Sequence, residues 1–66
     1  MELKEAIEGT WVTYKPSYKQ KGEIGRIKST NNIFIFVVYH CDGNWDDYTD
    51  YTAEATRHED LQILNK

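Results

Sequence analysis

The chain reads as a single all-β domain of five short antiparallel strands with little helix. Three observations lead there. Residues 33–39, Ile33-Phe34-Ile35-Phe36-Val37-Val38-Tyr39, form an unbroken β-branched and aromatic run, near the ordinary strand length of about 5–6 residues and rich in the side chains a pleated surface prefers. Polar segments bracket that run in a sequence whose mean hydropathy is −0.75. Finally, two Trp, five Tyr and two Phe in 66 residues supply the dense packing needed by a chain so short that only about 60% of its unfolded surface can be buried.

The elements follow in chain order. Residues 2–8 place Leu3, Ala6 and Ile7 at i, i+3 and i+4, a helical stripe of barely two turns that forms only by lying on the rest of the protein. Gly9 ends it, because glycine accepts the positive φ of a helix C-terminus. Residues 10–14 are the first strand, in which Trp11 faces away from Val12 and Tyr14. Residues 15–22 hold Pro16, lack apolar periodicity and read as a long basic loop. Residues 23–29 are the second strand, and Gly25 predicts a bulge that brings Ile24 and Ile27 into register. Asn31-Asn32 predicts a tight hairpin turn, since asparagine tolerates left-handed backbone.

Residues 33–39 are then the central third strand, apolar on both faces. Ile33, Ile35, Val37 and Tyr39 point one way; Phe34, Phe36 and Val38 point the other. The second face needs a cover, assigned to Leu3, Ala6 and Ile7, with a partner subunit as the alternative. Residues 40–50 form an acidic loop with Gly43-Asn44 at its tip, and residues 51–55 a fourth strand with Tyr51, Ala53 and Ala55 inward. Thr56 and Glu59 have the spacing of a capping box, which predicts one helical turn, and residues 61–64 close the chain as a fifth strand. The expected core is Val12, Ile27, Ile35, Val37, Tyr39, Tyr51, Ala53, Leu61 and Ile63.

This order of strands, long first loop, tight hairpin and late helical turn resembles the SH3-like small barrel. The resemblance covers residues 10–64, with residues 1–8 as a short N-terminal helix or cover, and all of 1–66 as one domain. Its most specific part is the end, residues 51–55, the turn at 56–60 and residues 61–64. Gly22-Glu23-Ile24-Gly25-Arg26-Ile27 and Phe36-Val37-Val38-Tyr39 are also similar to the strand cores of small uncharacterised bacterial and phage barrels. The resemblance implies a five-stranded antiparallel barrel and no single function, because such barrels bind peptides, methylated residues and nucleic acids alike.

Composition narrows the chemistry. One cysteine, Cys41, permits no disulfide within the chain and fits a reducing compartment. Residues 1–8 are acidic and lack the apolar centre of a signal peptide, and a run of seven apolar residues is far short of the about 20 that span a bilayer as a helix. A cytoplasmic protein without membrane contact is expected. The glycines at 9, 22, 25 and 43 are scattered, so no phosphate-cradling loop exists, and Cys41 with a histidine lacks an orienting third group and a cleft; a non-enzymatic protein follows. Asp42, Asn44 and Asp46 alternate as calcium loops begin, but the sixth position is Asp47 and the twelfth Ala53, where glycine and a bidentate carboxylate are required. His40, Cys41 and His58 are too few for zinc. Neither metal nor cofactor is expected.

Charge is segregated beneath a net −3. Residues 15–28 carry Lys15, Lys19, Lys21, Arg26 and Lys28 against Glu23, whereas residues 40–60 carry seven carboxylates against Arg57. Two readings follow: solvated loops that attract one another, or a polarised binding surface. Trp45 and Tyr48 in the acidic loop either fold back as loop anchors or, with Tyr18, line a groove rimmed by Asp42, Asp46, Asp47 and Asp50. Rings flanked by carboxylates suit cations, so the expected partner is a basic protein or peptide segment. The alternatives are nucleic acid along the basic 15–28 segment, with rings stacking on bases, and a purely structural or oligomerising role. A monomer is expected, with weak homodimerisation as its alternative.

Overall fold

The computed structural model, described over residues 1–18 and 20–64, contains five strands: β1 Trp11–Tyr14, β2 Glu23–Thr30, β3 Ile35–Val38, β4 Glu54–Thr56 and β5 Leu61–Ile63. All pairings are antiparallel, and the order across the sheet is β4-β3-β2-β1-β5. The mainly β, five-stranded expectation holds; the closed barrel does not. β4 and β5 are the two edges, each three residues long, and among the described residues each pairs only with its inner neighbour, which leaves the sheet open between them.

The apolar run forms β3 over its central four residues. Ile35 and Val37 are fully buried with Val12, Ile27, Leu61 and Tyr39 in the main core. Cross-strand register explains the grouping: Val37 sits opposite Ile27 and Glu54, Ile35 opposite Thr56, and Tyr14 opposite both Glu23 and Leu61. Three expected core positions fall short, since Tyr51 and Ala53 are half-buried and Ile63, near the end of an edge strand, is 40% exposed. Residues 51–53 precede β4, which runs over 54–56 rather than 51–55.

The cover of the second face is also reassigned. Only residues Leu3–Glu5 make a helical turn, of the 3-10 type, and Met1, Leu3 and Ala6 pack on the main core instead of on Phe34, Phe36 and Val38. Ile7 stays exposed. The N-terminal ammonium donates to the carbonyls of Leu61 at 2.6 Å and His58 at 3.1 Å, and those bonds hold Met1 on the core side of the sheet. Val38 is covered by the acidic segment, in a second cluster with Cys41 and Tyr48 flanked by Trp45, Tyr51 and Ala53. A two-turn amphipathic helix is too short to persist without docking along its whole stripe, whereas three large rings in one loop carry enough apolar area to cap a face.

Local chemistry differs from expectation at three places. The register shift in β2 lies between Ile27 and Ser29, not at Gly25, whose lack of a side chain instead admits Val37 Cγ1 and the Tyr39 ring against its Cα. Asn31 shapes the hairpin with its side chain: Oδ1 accepts from the amides of Ile33 and Phe34, each at 2.7 Å, so neither asparagine has to enter the left-handed region. Thr56 does not cap the following turn, His58–Asp60; its hydroxyl pairs with Tyr39 Oη at 2.8 Å. Positive φ occurs at Gly9, Asp42 and Gly43. The last two are the centre of a turn closed by Asn44 N–H donating to the Cys41 carbonyl at 2.8 Å, the type I′ arrangement that Asp-Gly favours.

A candidate ligand groove beside the open edge

Trp45 and Tyr48, expected to bind a ligand, meet a cation from their own chain. The 3-10 segment Trp45–Asp50 lies over the outer face of β1 and β2, where Trp11 and Arg26 are cross-strand neighbours. Trp45 tilts onto Trp11 with ring centroids 4.8 Å apart. The Arg26 guanidinium stands 5.0 Å from the Trp11 ring and 4.5 Å from that of Tyr48, and donates from Nε to the Gly9 carbonyl and from Nη1 to the Trp45 carbonyl, each at 2.9 Å. Lys28 reaches the same segment, donating from Nζ to the Tyr51 carbonyl at 2.8 Å. The basic and acidic regions thus join through backbone carbonyls and ring faces. Tyr48 is 8% exposed, which matches the loop-anchor alternative for these rings.

Asp42, Asp46, Asp47 and Asp50 are exposed around this anchored turn. Tyr18 is not with them. It is 76% exposed, and its hydroxyl lies 3.2 Å from that of Tyr14, a residue of the core-side face. Of the basic group, Lys15 and Lys21 are exposed, Arg26 and Lys28 are engaged as above, and Lys19 lies outside the described residues.

A second concavity lies elsewhere, beside the free edge of β4. It encloses about 490 Å³ and is lined by Tyr14, Tyr18, Glu23, Phe34, Tyr39, Glu54, Ala55, Thr56, Arg57 and Asp60. Sheet register builds it: Tyr14 and Glu23 face each other across β1 and β2, and Glu54 and Thr56 share the side of Val37 and Ile35. Tyr39 forms the link between the two banks. Its ring meets Tyr14 edge-on at 5.8 Å and 61°, while its hydroxyl reaches Thr56.

Three carboxylates set the electrostatics. The Tyr14 phenol is pushed up to about 12, first by its hydrogen bond with Tyr18, then by burial and by the charges of Tyr18, Asp60 and Glu23. Tyr39 is also pushed up to about 12, chiefly by burial, with Glu23 and Glu54 adding to the rise and the Thr56 hydrogen bond opposing it. Both phenols are therefore neutral at ordinary pH; Glu23 raises both, Asp60 adds to the rise at Tyr14 and Glu54 to that at Tyr39. At the rim, His40 Nε2 lies 3.0 Å from Glu23 Oε1, and Arg57 reaches toward Glu59 at 3.6 Å.

Tyr14, Glu23, Phe34, Tyr39, Glu54 and Asp60 were not expected at a site. The usable signal was alternation: a strand that buries Val12 and Val37 sends Tyr14 and Tyr39 to the same side, and large phenols at strand ends need polar surroundings for their hydroxyls. Among the described residues, no group of three or more His, Cys, Asp or Glu side chains is placed to hold a metal ion, and no helix is long and apolar enough to cross a membrane. No protein-family model matches the chain, and no curated protein or solved structure matches it either.

Proposed function

We propose that the protein is a non-enzymatic binding module of SH3-like type whose ligand is a basic protein or peptide segment, seated in the groove beside β4. One observation supports the reading: phenol and phenyl rings line a concavity that holds three carboxylates, Glu23, Glu54 and Asp60, against one cation, Arg57, which reaches toward Glu59. A cation entering it exchanges water for ring faces, worth about 2 kcal/mol where desolvated, and meets carboxylates that repel anions. The volume falls within the range of ordinary ligand sites. The SH3-like assignment is supported by the element order, a long segment after β1, a tight hairpin between β2 and β3, and a helical turn between β4 and β5.

The 42–50 segment is a weaker seat, because Arg26 already occupies the faces of Trp11 and Tyr48. The test is a chemical-shift titration with Lys/Arg-rich peptides and with single-stranded DNA, each at two salt concentrations. Peptide-induced shifts at Tyr14, Tyr39, Glu54 and Asp60 support the groove. Shifts at Lys15 and Lys21 with DNA, weakening steeply with salt, would transfer the function to nucleic acid.

A further inference from the structure

We infer that the basic segment binds as an added strand on the free edge of β4, with basic side chains directed into the groove and apolar ones to the opposite face of the sheet. The inference rests on the reading that this groove takes a basic segment, and it specifies how.

The argument starts from alternation. Glu54 and Thr56 lie opposite Val37 and Ile35, on the core side, whereas Ala55 lies opposite Phe36, on the other side. A groove confined to one face of the sheet would meet Glu54 and Thr56 only. This one is lined by four consecutive residues, 54–57, Ala55 included, so it runs along the strand's outer margin, where the backbone itself is the surface. Among the described residues β4 has β3 on one side and no strand on the other, and such an edge presents a row of N–H and C=O groups, the template for strand addition.

The two sides of that edge differ in chemistry. On the core side stand Glu54 and, across the groove, Glu23 and Asp60. On the far side stand Ala55 and the half-buried Phe36, while Arg57, just beyond the strand, is exposed and reaches toward Glu59 at 3.6 Å. A strand laid against β4 sends successive side chains alternately to these two surfaces. Its complement is therefore a segment alternating Lys or Arg with small apolar residues, and charge complementarity selects that occupant over an acidic or uniformly apolar one. Hydrogen bonds from the main chain supply affinity, and alternation supplies specificity.

The probe is a short peptide alternating Lys and Val, titrated against the intact protein by calorimetry and by amide hydrogen exchange. Two further peptides carry N-methyl groups on every Lys amide or on every Val amide. In a strand added to one edge, only every second N–H points at its partner. One methylated peptide should lose affinity at least about tenfold, the equivalent of one or two backbone hydrogen bonds, while the other binds as the parent does. Exchange at the β4 amides should slow on binding. If the parent peptide shifts groove residues but both methylated forms bind equally well and β4 exchange is unchanged, strand addition is wrong and the basic-ligand reading stands. If no Lys-bearing peptide binds, both fail.

Discussion

At the scale of single residues, Tyr39 connects fold stability to the groove. Its phenol is held up to about 12 in the folded chain, above the ordinary value near 10. A group whose folded pKa is raised contributes stability that is intact below the unfolded pKa and disappears as pH rises through the folded one. Stability should therefore be flat at neutral pH and fall between about pH 10 and pH 12, by on the order of 2 kcal/mol for this buried phenol. Denaturant melts across that range check it, and Tyr39→Phe should make the decline shallower, leaving the part due to Tyr14, while costing about 1 kcal/mol at neutral pH through the lost bond to Thr56. Arg26 makes a second residue-scale case. Arg26→Met strands the Gly9 and Trp45 carbonyls and removes the cation from two rings, for an expected loss of about 2–4 kcal/mol, read as a lower denaturant midpoint. Trp45→Ala should likewise destabilise, by about 2 kcal/mol, yet leave peptide affinity in the groove unchanged; lost binding with an unaltered melting temperature would restore the ring to a ligand-binding role.

At the scale of elements, strands were legible and covers were not. β3 and its partner β2 follow from side-chain type and alternation, which are local properties. The face on which residues 1–8 land is not local. It follows from the ammonium bonds to β5 and the preceding turn, and from Trp45, Tyr48 and Tyr51, larger rings that occupy the other face of β3 around Val38. The capping box at Thr56 failed for a similar reason: a hydroxyl within reach of a buried phenol satisfies that buried group in preference to an exposed amide. Deleting residues 1–8 should uncover the main core, on which Met1, Leu3 and Ala6 pack, with a falling melting temperature as the expected result. Gly25→Ala tests the close strand approach, because its new methyl would overlap Val37 Cγ1 and lie 2.9 Å from Tyr39 Cδ1. A loss of about 1–3 kcal/mol is expected, and a neutral result would mean that β2 and β3 can separate slightly without penalty.

At the scale of the whole molecule, openness is the property that sequence conceals. Five strands can be counted from composition, but whether the first and last edges meet depends on strand length, coiling and the few residues at each end, and β4 and β5 turned out to be three residues each. The candidate site was hidden with it, since Tyr14, Glu23, Glu54 and Asp60 converge only through the register of four strands. Net charge conceals placement too: Glu23, Glu54 and Asp60 line the groove, apart from the string in the 42–50 segment. Glu54→Lys combined with Asp60→Lys should abolish binding of a basic peptide and keep the fold, as both side chains are at the groove margin. Equal affinity in the double variant would remove the electrostatic basis of the proposed function.

The buried thiol of Cys41 turns the second cluster into a clock. Its 2% exposure means that a thiol reagent can reach sulfur only when the segment over Val38 lifts, so labelling rate reports how often that lid detaches from the sheet. Partial openings of this kind occur below the energy of global unfolding. Labelling that outpaces exchange of the β2 and β3 amides would show two independently opening layers on one sheet, whereas matching rates would show that Arg26 binds them into one cooperative unit.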